Sequence, residues 1–207
     1  MKPITILASA ALWLAAALLA SRAAPAEVAP DVLVKTTTEQ VLALIRDGGD
    51  HRRLAERAQP LIVPHFDFSR MTQLAVGRGW SKASPEQQQK LRDEFRTLLV
   101  RTYAAALANG AGKNFRLSVA PLEAPPAGNE VTVHTRVSGE GGTPVAIDYQ
   151  LEKAGGDWKV YDVVVTGISL VTNYRETFAA EIDKSGVDGL INTLSEKNKA
   201  LAGGKAG

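Results

Sequence analysis

The fold is decided by residues 84–110, which read SPEQQQKLRDEFRTLLVRTYAAALANG. Ser84 suits an N-cap, and Gln87 completes a Ser-x-x-Gln capping box around a proline at the first helical position. Asn109 and Gly110 supply a left-handed stop at the other end. The pattern therefore predicts one helix from Ser84 to Asn109, which is roughly 37 Å long at about 1.5 Å per residue.

This helix carries one broad apolar stripe. Apolar residues recur at steps of three and four, and charged residues cover most of the remaining surface. The stripe consists of Leu91, Phe95, Leu98, Leu99, Thr102, Tyr103, Ala106 and Leu107. A helix of this length can cross a whole β-sheet, and we expect it to do so, with sheet and helices enclosing an apolar cavity.

Shorter helices are predicted before this one. Two helices are expected between Val34 and Ala58, because apolar residues there also follow helical spacing. A proline-bracketed apolar connector at 61–63 comes next. A third short helix follows, for which Asp67 or Ser69 can serve as the N-cap.

After the long helix, the apolar period changes from about 3.6 to two. Alternation over 115–119, 131–138, 145–151 and 158–166 predicts four strands joined by short turns. Such a meander has one apolar face and one wetter face. Two further helices are predicted, over 169–183 and 187–201. Helices, then strands, then helices indicate an α+β domain with a four-stranded antiparallel sheet.

The two ends of the chain differ from the middle. Residues 1–26 combine a positive start, an uncharged apolar run and small residues, which predicts a secretory signal peptide cleaved near Ala23 or Ala26. An uncleaved membrane anchor is the alternative. Residues 27–202 then form a single domain, and residues 203–207 form a flexible tail.

Charge and cysteine content limit the classes of function. The whole chain has 24 Lys and Arg against 22 Asp and Glu, and loss of Lys2 and Arg22 with the leader leaves 22 of each. A net charge near zero argues against a broad nucleic-acid footprint. The absence of cysteine excludes disulfides and thiolate chemistry. A lack of cysteine is ordinary for a periplasmic protein of this size.

The sequence has none of the common catalytic motifs. These are the Gly-x-Ser-x-Gly nucleophile elbow, the His-Glu-x-x-His zinc motif, the phosphate-binding loop and the dinucleotide-binding fingerprint. His65 lies near Asp67, but a surface or capping role explains both. His134 could form an acid–base group with Asp148 and Asp162, which would suit a small isomerase or dehydratase. We predict no catalytic residue, metal or cofactor. A periplasmic adaptor with a solid core is a further alternative.

Three stretches carry a combined pattern. They are HFDFSRM (65–71) leading into the long helix, WKVYDV (158–163) continuing through GISLVTNYR (167–175), and GVDGLI (186–191). Together they resemble the MlaC family of periplasmic phospholipid-binding proteins, also known as toluene-tolerance auxiliary components of an ABC transport system. The resemblance covers essentially all of the mature chain.

The resemblance implies a fold related to nuclear-transport-factor-2-like (NTF2-like) proteins, with acyl chains of a glycerophospholipid between helices and sheet. It also implies a monomeric, non-enzymatic carrier in the periplasm. Such a carrier exchanges lipid with an outer-membrane lipoprotein–porin complex and an inner-membrane ABC transporter, and so maintains outer-membrane lipid asymmetry. A hopanoid-type cargo is the alternative within the family.

The expected lipid-binding residues are apolar positions on the helices and on one sheet face. They are Phe66, Phe68, Leu74, Trp80, Phe95, Leu98, Leu99, Tyr103, Val131, Val133, Val145, Ile147, Tyr149, Tyr161, Val163, Val165 and Tyr174. Basic residues that could meet a phosphate or a partner are Arg70, Arg78, Lys82 and Arg175.

Overall fold

A computed structural model describes residues 28–47, 51–110, 115–124, 126–139 and 142–203. The predicted leader and residues 204–207 lie outside this part of the chain. The elements in chain order are α1 (Pro30–Asp47), α2 (His51–Ile62), α3 (Phe68–Val76), α4 (Pro85–Gly110), β1 (Arg116–Val119), β2 (Glu130–Ser138), β3 (Val145–Ala154), β4 (Asp157–Val165), β5 (Ile168–Ser169) and α5 (Leu170–Ala202). The α+β class is confirmed.

The start of α4 has the predicted capping box. The Gln87 amide donates to Ser84 Oγ at 3.2 Å, and the Ser84 amide donates to Gln87 Oε1 at 2.9 Å. Two amides that would lack helical partners are therefore satisfied reciprocally. The helix continues to Gly110, so the predicted long helix is confirmed.

The segment before α4 is more helical than predicted. The connector expected at 61–63 is partly helical, because α2 continues past Pro60 to Ile62 and a 3₁₀ turn follows at Val63–His65. Proline removes one backbone donor, but so near the end of a helix it disturbs only the last turn. Asp67 is the N-cap of α3, where its Oδ1 accepts from the Arg70 amide at 2.8 Å.

Within the described residues, α4 packs against α2, α3 and α5. The expectation that α4 crosses the sheet was therefore wrong. The reason is that the apolar stripe of α4 meets an equally apolar stripe on α5. Leu91 and Phe95 belong to one buried cluster with Phe178, Leu190 and Leu194.

The sheet is an antiparallel meander in the order β1-β2-β3-β4-β5. It has one strand more than predicted, because the chain turns at Thr166 (φ 49°) and Gly167 (φ 85°) and pairs Ile168 with Val165. A two-residue loop with both φ values positive suits the twist of a tight hairpin. The turn that was expected to end the sheet therefore adds a short strand.

The two faces of the sheet differ in what covers them. We call the face that carries Val133 and Leu151 the inner face, and the face that carries His134 and Asp148 the outer face. Helix α1 lies over the inner face, where Val34 is buried together with Val133 and Leu151. The outer face is largely polar and open, as in a sheet with one solvated side.

A β-bulge interrupts the pairing of β3 with β4. Gln150 pairs with Asp162 and Leu151 with Val160, so Tyr161 has no partner across the ladder. The extra residue reverses the alternation of β4, and Val160 is consequently buried on the inner face. The prediction that Tyr161 shares a face with Val163 was wrong for this reason.

Helix α5 begins directly after β5. Asp162, buried at 5% exposure, accepts from the Val171 amide at 3.2 Å and from Ser169 Oγ at 2.5 Å. This carboxylate thus ties the end of β4 to the first turn of α5. The two predicted helices are confirmed as the two halves of α5, because the backbone at Gly186 (φ 72°, ψ −176°) is not helical and forms a kink between them.

Candidate functional site

The structure places most of the expected lipid-binding residues in two regions. The helical bundle of α3, α4 and α5 holds one group, and the inner face holds the other. Residues packed in the bundle are Phe66, Phe68, Leu74, Trp80, Phe95, Leu98, Leu99, Tyr103 and Tyr174. Residues in the cluster on the inner face are Phe66, Val131, Val133, Tyr149 and Val163.

The centre of the bundle is solid. Phe95 has 0% exposure, and its ring makes edge contacts with Tyr174 at 5.0 Å and Phe178 at 5.1 Å between centroids. Leu98 and Leu99 are buried in the same cluster. These side chains are enclosed by protein atoms, so contact with an acyl chain would require the helices to separate. Their predicted role in lipid contact stays a prediction.

Two tyrosines lie at the edge of this bundle. Burial, with a smaller contribution from the nearby Tyr174, raises the pKa of Tyr103 to about 12. Burial also raises the pKa of Tyr174. Both phenols are therefore neutral at physiological pH, and each presents an aromatic ring that is half-buried. An uncharged aromatic edge is compatible with an acyl chain.

The inner face is only partly covered. Tyr149 approaches α1, where its phenol hydrogen-bonds Thr38, and burial raises its pKa. At the other end of the same strands, aliphatic side chains remain accessible. We call this region the uncovered corner, and it consists of Val145, Ile147, Val163, Val165 and Ile168.

The corner is exposed by different amounts. Val145 is 38% exposed and Ile168 is 61% exposed, while Ile147, Val163 and Val165 are half-buried. The register makes Ile147, Val165 and Ile168 neighbours across three strands. Single exposed apolar residues are ordinary, but a contiguous aliphatic patch indicates a binding surface.

Phe66 joins the bundle to the sheet. Its ring stacks on Phe68 at 5.6 Å, and it packs against both buried clusters. Its backbone pairs with Val160 in an isolated parallel bridge, and the Asp67 amide donates to the Val160 carbonyl at 2.8 Å. The lead-in to α3 therefore occupies the free edge of β4, which satisfies backbone groups that an edge strand would otherwise expose.

Tyr161 contacts Arg70, and its predicted role in lipid binding stays a prediction. The Arg70 guanidinium lies 4.0 Å above its ring and also pairs with Glu130 and Glu152. Both glutamates are directly opposed on the sheet, and Arg70 relieves their like-charge repulsion. These contacts of Arg70 therefore hold α3 against the sheet.

Two hollows on the described surface lie away from the inner face. One, of about 420 Å³, is lined by Phe66, Phe68 and mostly polar neighbours such as Arg92 and Arg96. The other, of about 600 Å³, lies between α3 and α5 and includes Leu74. Neither is lined by residues of the uncovered corner, so the cavity expected between sheet and helices stays a prediction.

The family follows from comparison with known proteins. The model of the family described as MlaC protein matches residues 35–196, which is well over half of the chain. The chain belongs to the MlaC family.

Solved and curated relatives agree with the MlaC assignment. A phospholipid-binding protein from Ralstonia solanacearum, solved in complex with a phospholipid, is 41% identical with a TM-score of 0.75, covering 84% of this chain and 99% of that one. The intermembrane phospholipid transport system binding protein MlaC of Haemophilus influenzae is 24% identical over 190 residues, 87% of each chain.

A second curated relative matches a shorter region. The toluene tolerance protein ttg2D of Pseudomonas putida is 35% identical over 107 residues, 52% of this chain. The chain described here spans about half of this relative, 48% of its length.

The acid–base residues considered for an isomerase do not form a pocket in this MlaC-family chain. His134 Nδ1 lies 3.0 Å from Asp148 Oδ1, on the outer face and largely in solvent. Asp162 is engaged in capping α5. Burial lowers the pKa of His65, with Lys159 adding to the effect, while Asp67 caps α3. The isomerase alternative therefore lacks a catalytic group at these positions.

The described residues lack two further features. No cluster of three or more His, Cys, Asp or Glu there has the arrangement of a metal site. Among the helices in the same ranges, none is both long and apolar enough to cross a membrane.

Sequence reasoning missed one member of the uncovered corner. Alternation predicts the last strand only as far as residue 166, so Ile168 lies beyond the predicted sheet. The signal was present, since Thr166-Gly167 between Val165 and Ile168 has the form of a two-residue hairpin. Threonine at a positive φ is uncommon, which is why the pattern is weak.

Proposed function

We propose that this chain is a carrier that binds a glycerophospholipid by its acyl chains and moves it through the periplasm. The observation that carries the proposal is the uncovered corner of the inner face, in a family whose Ralstonia relative was solved with a phospholipid. We infer that acyl chains cover Val163, Val165 and their neighbours, with the head group toward solvent.

The energetics of lipid in water explain the need for such a surface. A diacyl lipid exposes on the order of thirty methylenes, and each costs about 0.8 kcal/mol in water. Transfer from a bilayer to an aliphatic slot exchanges one apolar surrounding for another, so the net free energy change is small. The chain therefore needs a shaped apolar surface rather than a catalytic group.

The wider role follows from the family. We propose that the carrier exchanges lipid with an inner-membrane ABC transporter and an outer-membrane lipoprotein–porin complex, and that this exchange maintains outer-membrane lipid asymmetry. The name of the Haemophilus relative, a binding protein of an intermembrane phospholipid transport system, supports this role. The balanced charge of the processed chain also suits a protein that must leave both membranes.

Lipid analysis of the native protein tests the proposal. The full chain is produced in a Gram-negative host, purified from the periplasm and extracted with chloroform–methanol, and the extract is quantified by mass spectrometry. We expect about one phospholipid per protein. A hopanoid in place of the phospholipid would show that the carrier has a different cargo. Protein that is lipid-free, and stays so after incubation with phosphatidylethanolamine–phosphatidylglycerol liposomes, would overturn the proposal.

A further inference from the structure

The groove between α3 and α5 has properties that lipid binding at the sheet does not explain. It has a volume of about 600 Å³, and its floor is apolar, formed by residues such as Leu74, Val76 and Ile182. Arg78, Lys82 and Arg175 lie among its lining residues. Of the described residues that line it, Asp183 is the one acid, so the groove is locally positive in a chain with balanced charge.

The described part of the protein does not neutralise the cations of the groove. Within the described chain, neither Arg78, Lys82 nor Arg175 forms an ion pair. This contrasts with Arg70, which is saturated by Glu130 and Glu152. Unpaired cations around an apolar floor are complementary to an acidic ligand that also brings apolar side chains.

Two glycines lie in the wall of the groove. A Cβ on Gly79 would lie 2.5 Å from Ile182 Cδ1, so a larger residue there would require the Ile182 side chain to shift. Gly77 has φ 58°, a conformation that L side chains rarely adopt, so a substitution there would strain the backbone.

Arg175 is also positioned by a hydrogen bond. Its Nε donates to the Leu74 carbonyl at 2.8 Å, near the end of α3. The guanidinium therefore lies at the rim in a fixed orientation, and less side-chain entropy is lost when a carboxylate binds it.

We propose that this groove docks an acidic segment of a partner protein, with one or two apolar side chains on the floor and carboxylates at Arg78, Lys82 and Arg175. The concave shape favours such a segment over a flat bilayer, because inserted side chains can fill the groove. The inference deepens the proposed function and rests on its exchange with partner proteins, although it requires no particular cargo.

Site-directed photocrosslinking tests the proposal in the full chain. Benzoylphenylalanine replaces Gln73, an exposed residue that lines the groove, and in a second protein it replaces Thr132 on the outer face. Both proteins are irradiated in the cells that naturally make them, and the joined peptides are mapped by mass spectrometry. We expect a product at Gln73 whose partner peptide has carboxylates beside apolar residues, and no such product at Thr132.

Charge reversal provides the matched control. Arg78→Glu with Lys82→Glu should lower the yield at Gln73 by about tenfold, because both rim charges would then repel the segment. Lys35→Glu with Arg116→Glu changes the net charge equally at exposed positions outside the groove, and the yield should stay within about twofold. Melting curves and bound lipid should be unchanged in both double variants.

In the protein with the natural rim charges, three results would overturn the proposal. They are a product joined to phospholipid, which would indicate a membrane surface, a partner peptide without acidic residues, and no product at Gln73. A yield that is equal in both double variants would also contradict it. Lipid content is measured on the same samples, so failure of the carrier function is seen separately from failure of the docking surface.

Discussion

Phe95 in the helical bundle has no exposed surface, whereas Val163 on the inner face of the sheet is only half-buried. The two residues represent two regions that use apolar side chains differently. In the bundle, aromatic and aliphatic side chains pack directly against one another, as in a close-packed interior. On the inner face, α1 covers one end of the strands and leaves the uncovered corner accessible. A ligand is therefore expected at the corner rather than inside the bundle.

The largest effect should come from the bundle. Phe95→Ala removes a ring that contacts Tyr174 and Phe178, and we expect the free energy of unfolding to fall by about 3–5 kcal/mol. Val163→Ala removes a half-buried group and should cost about 1 kcal/mol. Urea denaturation of lipid-free protein measures both. Equal losses would show that the two regions are packed alike.

Tryptophan substitutions should separate a filled position from an accessible one. Val133, at 0% exposure, has no room for a larger side chain, so Val133→Trp should destabilise the fold by about 1–3 kcal/mol. Val163→Trp should leave the protein folded while bound phospholipid falls several-fold. Thr132→Trp, on the exposed outer face, is the control and should retain lipid. Normal lipid content in folded Val163→Trp protein would move the cargo away from the corner.

The junction between the two regions should depend on Arg70. Arg70→Ala leaves Glu130 and Glu152 opposed without their cation, and we expect a loss of about 1–2 kcal/mol in the free energy of unfolding. Arg78→Ala is the control, since Arg78 forms no ion pair with a described residue, and its effect should be within about 0.5 kcal/mol. A loss that is equally small for Arg70→Ala would mean that Phe66 and the backbone bridge suffice to join bundle and sheet.

Alkaline pH should weaken the edge of the bundle. The pKa of Tyr103 is raised from 10.0 to about 12, so the folded protein keeps a proton that the unfolded chain loses. The stability contributed by Tyr103 is thus fully present below about pH 10 and is lost as pH rises toward 12. Thermal melts across this range should show a decline that is shallower in Tyr103→Phe. An identical slope in that variant would contradict the assignment.

The smallest effect is expected at the hairpin that completes the corner. Thr166 has φ 49°, which a β-branched residue adopts at a cost. Thr166→Asn should raise the free energy of unfolding by about 0.5–1 kcal/mol, because asparagine tolerates this conformation. Thr132→Asn, in a regular strand, should give no gain. A destabilised Thr166→Asn variant would mean that the threonine has contacts that outweigh its backbone strain.

Local structure could be predicted from the sequence where one short-range rule dominates. The capping box of α4 and the alternation of β2 and β3 are of this kind, because each depends on neighbours within a few residues. The partner of α4 could not be predicted in the same way. Its stripe would suit a sheet or a helix, and only the matching stripe of α5 decides between them.

The candidate site was predictable in character but not in position. Alternation identified the aliphatic face, including Val163 and Val165, yet it could not show which part α1 leaves open. Tyr161 was misplaced because nothing in WKVYDV marks an extra residue in the ladder. Bulges arise from pairing with a neighbouring strand, and that information is absent from the strand's own sequence.

The bulge in β4 also sets which side chains of this strand face α1. If Tyr161 paired with Leu151 as in a regular ladder, every residue on its N-terminal side would move by one position and its side chain would exchange faces. Trp158 and Val160 would then turn toward solvent, while Lys159 would turn toward Val34 and Leu151. The one supernumerary residue therefore brings apolar side chains from both halves of β4 to the same side of the sheet.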